Sequence, residues 1–147
     1  MKKTLLTLAL SIAAAGAFAQ ATPLGVWKSI DDETKIEKSL LRITETGGVF
    51  SARIEKLLDP ATKQDAVCDK CSDDRKDKPL IGLQIVRNVK ANASDKGLWD
   101  GGEILDPKDG KIYKVKLTPI EGGKKLEVRG FIGFALLGRT QTWIRAE

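Results

Sequence analysis

Two cysteines with two residues between them, Cys68 and Cys71 in "VCDKCSDDRKDKP", are the most reactive side chains in this 147-residue sequence. Three chemistries fit the spacing. In an oxidising compartment the pair closes a local disulfide that stiffens its loop. Such a bridge stabilises less than one closing a long loop, because little chain entropy is removed. A thiol redox site is the sharper reading. Lys70 between the sulfurs would lower a thiol pKa, although Asp69, Asp73 and Asp74 oppose it and the strand–helix setting of thioredoxin-like sites is missing. Zinc asks for four ligands, and nearby aspartates would have to complete a set begun by two thiolates.

The sequence contains no histidine, which removes His-dependent triads, His-rich metal sites and imidazole pH switches. Asp31-Asp32-Glu33 is a carboxylate cluster. Paired acids divide acid and base roles only when burial separates their pKa values, whereas neighbours on an extended chain point oppositely. These three sit at a turn, so a solvated hairpin tip is expected. Asp106-Pro107-Lys108-Asp109-Gly110 lacks the alternating acids and closing glutamate of an EF-hand loop and reads as a hairpin turn. Nothing assembles a nucleophile, a base and an oxyanion site. The expectation is a protein without catalytic residues, metal or cofactor.

Apolar residues suggest binding instead. In "RGFIGFALLG", Gly130, Gly133 and Gly138 interrupt Phe131, Ile132, Phe134, Leu136 and Leu137. The run holds more apolar side chains than one buried face needs. Two readings stand: a bent strand followed by a buried turn, or an apolar flap that touches a lipid, a ligand or a partner. In "LWDGGEILD", Trp99 precedes two glycines and either lines a cavity mouth or caps a core.

The elements that position these residues are strands. Phe50, Ala52 and Ile54 alternate with Ser51, Arg53 and Glu55. Tyr113, Val115 and Leu117 alternate with Ile112, Lys114 and Lys116, and Leu126, Val128 and Ile132 with Lys125, Glu127 and Arg129. A pleated chain sends neighbours to opposite faces, so each segment is a half-buried strand. Turn residues such as Thr46-Gly47-Gly48 and Glu121-Gly122-Gly123-Lys124 separate them. The expected strands are 25–30, 36–45, 49–57, 80–89, 98–105, 111–119, 124–132 and 138–145. This many hairpin-linked strands must hide their edges, which closure achieves most completely. The expected fold class is therefore all-β: one up-and-down antiparallel β-barrel of about eight strands, with an interior that is filled or holds one small ligand.

The chain ahead of the strands carries an export signal. Lys2 and Lys3 precede an apolar run from Leu5 to Ala15, and Ala17-Phe18-Ala19 is a small-x-small cleavage site before Gln20. The run is too short for an ordinary membrane span. Residues 1–19 are read as a cleaved signal peptide and 20–147 as a single β-barrel domain, periplasmic or secreted. Losing Lys2 and Lys3 lowers the net charge from +5 to +3. The remaining lysines and arginines are interleaved with acids and form no block, which argues against a nucleic-acid surface.

Gly25-Val26-Trp27 resembles the glycine-x-tryptophan opening of lipocalins and related fatty-acid-binding barrels. In those families a last-strand arginine packs over the tryptophan. The resemblance nominates Arg139 or Arg145 in "GRTQTWIRAE" to stack on Trp27 and close one barrel end. A wider set, "GVWKSIDDET", "CDKC", "KPLIGLQIV", "LWDGGEILDPKDGKIYKVKL" and "RGFIGFALLGRTQTW", resembles a domain-of-unknown-function family of small exported bacterial proteins. That resemblance implies a lipocalin/calycin-like barrel and an envelope setting, and it carries over no catalytic residues.

The function expected is non-catalytic binding of a lipid or another apolar or amphipathic small molecule. The cavity candidates are Phe50, Ile54, Trp99, Tyr113, Val115, Leu126 and Val128, with the flap Phe131, Phe134, Leu136 and Leu137 at the mouth. Two alternatives stand beside it: an envelope interaction module with a filled core, meeting a protein or membrane surface, and a thiol redox role at Cys68 and Cys71.

Overall fold

The computed structural model describes residues 21–134 and 136–147; the segment read as a signal peptide, residues 1–19, lies outside the described residues, as do Gln20 and Ala135. Eight strands follow in chain order: β1 (Gly25–Ile30), β2 (Glu37–Thr46), β3 (Val49–Leu57), β4 (Gln84–Ala91), β5 (Trp99–Leu105), β6 (Ile112–Ile120), β7 (Lys125–Phe131) and β8 (Gly138–Arg145). Each pairs antiparallel with the next. β1 closes on β8 through Trp27 opposite Arg145 and Lys28 opposite Ile144, which makes a closed barrel.

Alternation sets the register. Leu126 faces Trp143, Val128 faces Gln141 and Trp27 faces Leu41 across neighbouring strands, so their side chains share the inward face. A slip of one residue would turn every one of these to water. The inward apolar residues form one continuous cluster that includes Trp27, Leu41, Phe50, Leu117, Leu126 and Trp143.

Several expected boundaries shift by a residue or more, and two of the differences matter for the site. The fourth strand starts at Gln84, not residue 80, because residues 80–83 form a turn: Leu83 N–H donates to the Leu80 carbonyl at 3.1 Å, and Gly82 holds φ +89°. A continuous apolar run such as "LIGLQIV" does not distinguish a buried turn from a buried strand. β4 is also bulged at Asn88, with φ +61°, so its pairing with β3 is irregular. The seventh strand stops at Phe131. Ile132, placed inward by alternation, instead lies exposed in the following turn.

Up-and-down connectivity sends successive loops to opposite ends. The β1–β2, β3–β4, β5–β6 and β7–β8 connections gather at one end, here called the mouth. The β2–β3, β4–β5 and β6–β7 turns gather at the base, with the start of β1 and the end of β8. The long β3–β4 connection is itself folded. Val67 bridges Pro79, Cys68 N–H donates to the Lys78 carbonyl at 2.8 Å, and Leu80 N–H donates to the Ala66 carbonyl at 2.9 Å.

Candidate functional site

The base is stoppered by Trp27. Its indole N–H donates to the Pro23 carbonyl at 2.7 Å, and the Arg145 guanidinium lies 4.1 Å from the centre of its ring. Arg145 also donates to the carbonyls of Gly123, Leu24 and Thr22, so one side chain ties the last strand, the short 3-10 turn Glu121–Gly123 between β6 and β7, and the chain entering β1. Gly25 is required here. It has φ +120°, and a β-carbon on it would stand 2.5 Å from the Arg145 guanidinium. Of the two arginines nominated for this stack, Arg145 makes it. Arg139 starts β8 at the mouth end and pairs there with Asp32 at 2.5 Å and Glu33 at 3.5 Å. Both arginines lie on the same strand face, and the length of β8 decides which reaches Trp27.

The lumen above that stopper is packed. Phe50, Ile54, Trp99, Val115, Leu126 and Val128 point inward as expected, but they belong to the single apolar cluster and lie against one another. Phe50 and Trp99 meet edge to face with ring centres 6.2 Å apart. Tyr113 is half-buried near the mouth, opposite Ile104, and burial pushes its hydroxyl above the usual range. The inward face becomes polar toward the mouth. Ser29 and Ser39 hydroxyls are buried 2.8 Å apart, and the Trp143 indole donates to Gln141 at 3.1 Å. Two open hollows lie on the outer wall, lined by residues of β3, β4 and the connection between them, with Thr46 at the end of β2.

The mouth carries an apolar surface. Phe134 is 79 % exposed and Leu136 91 %, with Ile132 and Leu137 beside them in the β7–β8 turn. Ile36, Val67, Ile81 and Ile112 are also exposed, and all belong to the connections at this end or border them. Leu24 is the exposed large apolar residue at the base. Phe131, expected in the flap, is instead buried on the outer wall, where the Lys116 ammonium lies 5.8 Å from its ring centre. It ends a strand and pairs with Gly138, where a β-carbon would collide with the Gly130 carbonyl and the β-carbon of Phe131.

Cys68 and Cys71 are disulfide-bonded, and both are buried, at 0 % and 3 % exposure, within the core cluster. Thiol exchange needs access to a sulfur, so the bond as placed acts as a structural brace. The surrounding charges are partners and not a solvated fringe. Arg75, 2 % exposed, is bound through three side-chain nitrogen contacts to Asp73, the shortest 2.7 Å, and donates to the Gln84 carbonyl at 3.0 Å. Arg87 grips both oxygens of Asp74 at 2.9 and 2.8 Å. The Arg75 guanidinium beside Asp73 holds that carboxyl down at about 2. Sequence reading missed this clamp, because "SDDRKDKP" has the look of solvated charge; its signal was the unusual density of alternating signs beside a cysteine pair.

The acidic cluster is a turn. Asp31 accepts from the Thr34 and Glu33 amides and from the Thr34 hydroxyl, which lowers its pKa, and the Arg139 hydrogen bond lowers that of Asp32. Both acids are held ionised, so neither is poised to donate a proton. Asp106 and Asp109 likewise accept from backbone amides of their own hairpin turn.

A closed eight-stranded meander whose first-strand tryptophan is covered by a last-strand arginine is a lipocalin-like barrel. A solved structure, protein HP1028 from the human pathogen Helicobacter pylori, described as belonging to the lipocalin family, has this fold. It matches with a TM-score of 0.72 over 86 % of this chain and 84 % of that one, at 19 % sequence identity. The chain itself belongs to the family described as uncharacterized proteins conserved in bacteria (DUF2147), whose family model matches residues 25–145. No curated protein matches the sequence.

Proposed function

We propose that this chain is an exported, non-catalytic binding protein of the bacterial envelope. It takes a lipid or another apolar or amphipathic small molecule at the mouth of the barrel. The observation that carries the reading is the exposed β7–β8 turn, with Ile132, Phe134, Leu136 and Leu137 standing in solvent at the end where Ile36 and Ile112 are also exposed. Covering apolar surface is worth roughly 25 cal/mol per Å² before the costs of association. An acyl chain laid across this end gains that burial without entering the packed lumen. The leader at residues 1–19 supports export, and the lipocalin-like fold supports small-ligand binding.

A second reading has its own observation. The continuous core cluster favours an envelope interaction module whose mouth meets a protein partner. A fluorescent fatty acid separates the two. The first reading expects saturable binding that falls at least about fivefold in a Phe134→Ser, Leu137→Ser double variant with an unchanged melting curve. Absence of saturable binding by the parent protein sinks the first reading and leaves the second. Native mass spectrometry of protein exported with its own leader adds cleavage before Gln20 and any co-purifying lipid.

A further inference from the structure

The outer wall of the barrel holds a hollow unrelated to the β7–β8 turn. It has two adjoining lobes, of about 490 and 340 Å³, that share Asp74, Gln84 and Arg87. Four cationic side chains line the smaller lobe, Arg53, Arg75, Lys78 and Arg87, against one carboxylate, Asp74. Two of these four cations are already answered. Arg87 holds both Asp74 oxygens, and Arg75 is saturated by Asp73 and the Gln84 carbonyl.

Arg53 and Lys78 differ. Neither has a carboxylate within ion-pairing distance among the described residues, although acids are abundant in the same connection. Arg53 donates one guanidinium nitrogen to the Gly82 carbonyl at 2.9 Å, which fixes its head at the edge of the lobe and leaves its other donors open. Gly82 sits in a turn with φ +89°, and its amide donates to the Ile54 carbonyl at 2.7 Å, so that anchor is rigid. Beside the two cations the lobe is floored by Pro79, Ile81 and Leu83. A planar guanidinium held in place and an exposed lysine on the same lobe match a phosphate group, which accepts from both.

We infer that this lobe binds a phosphate oxyanion between Arg53 and Lys78. The group arrives either as free phosphate or as the headgroup of an amphiphile whose first methylenes lie on Ile81. The site lies beside the β3–β4 connection, across the barrel from the β7–β8 turn, and does not rest on the function proposed for that turn.

Calorimetric titration of the folded full chain tests this with two probes, inorganic phosphate and dihexanoyl phosphatidic acid below its micellar concentration. Saturable binding of one or both is expected, weakening as salt rises. Arg53→Gln with Lys78→Gln is expected to weaken it about tenfold or more, while Lys114→Gln on the exposed face of β6 leaves it unchanged. Both sites of substitution are exposed, and a circular-dichroism melt checks that the fold is kept. Similar affinity for the two probes identifies free phosphate as the ligand type. Tighter binding of the lipid, lost in Ile81→Ser, identifies a headgroup. No saturable binding of either anion, or binding that the double variant retains, overturns the inference. Phe134→Ser affects only the mouth and is expected to leave this titration unchanged.

Discussion

Arg75 carries a full charge at 2 % exposure, and its stability depends on Asp73, whose carboxylate is 30 % exposed. Glu103 lies 3.6 Å from the same guanidinium, so Asp73→Asn leaves Arg75 one longer ion pair and is expected to destabilise the fold by about 1–3 kcal/mol. Chemical denaturation measures this. Asp73 has a folded pKa of about 2 against an ordinary 3.8. A lowered carboxylate contributes its stability in full above the ordinary value and loses it as pH falls through the folded one. The parent melting temperature is therefore expected to drop between about pH 4 and pH 2, and the Asp73→Asn variant to drop less. Asp31, Asp32, Asp59 and Asp74 are lowered too and act in the same sense, so the difference between the curves reports Asp73 together with its effect on neighbouring Asp74. At the base, Arg145→Lys keeps a charge but loses the flat face over Trp27 and the fork to three carbonyls. It is expected to cost about 1–2 kcal/mol by the same measurement.

Among the elements, the β3–β4 connection does the most unexpected work. Its disulfide turn presses against the β5–β6 hairpin so closely that a β-carbon on Gly110 would collide with the Lys70 carbonyl, and Gly110 holds φ +73° besides. Gly110→Ala is thus expected to loosen the connection by about 2 kcal/mol, read as faster amide exchange from Ala66 to Leu80. The buried cysteines are expected to resist a mild thiol reductant in the folded protein and to react only once the chain is unfolded, as mass tagging of free thiols would record. Alternation had already announced β3, β6 and β7, because a period of two is a local property, and turn residues with apolar runs marked the others. It misjudged residues 80–83 and Ile132, where an apolar side chain meets a turn and burial no longer follows the period.

Across the whole molecule, exposed apolar residues are distributed unevenly. Closure by β1 and β8 leaves no free edge, and the base is sealed by Trp27, Arg145 and Gly25, so the mouth is left with the apolar surface. Phe134→Ser with Leu137→Ser is expected to reduce self-association at high concentration, followed by light scattering, with little change in the melting temperature because both side chains are exposed. A large loss of stability in that variant would mean the turn is part of the core.

Strand number and closure were open to inspection in the linear chain, since they follow from a two-residue period and glycine-bearing turns. The Gly25–Trp27 pair was legible as well. Its partner was not, because Arg139 and Arg145 share one strand face and only the pairing of Trp27 with Arg145 separates them. Tertiary structure alone decided that the inward side chains fill the lumen, that the cysteines are buried, and that Arg53 and Lys78 stand without acids beside them. Volume, burial and charge pairing depend on which distant segments meet, and no local pattern in the chain records that.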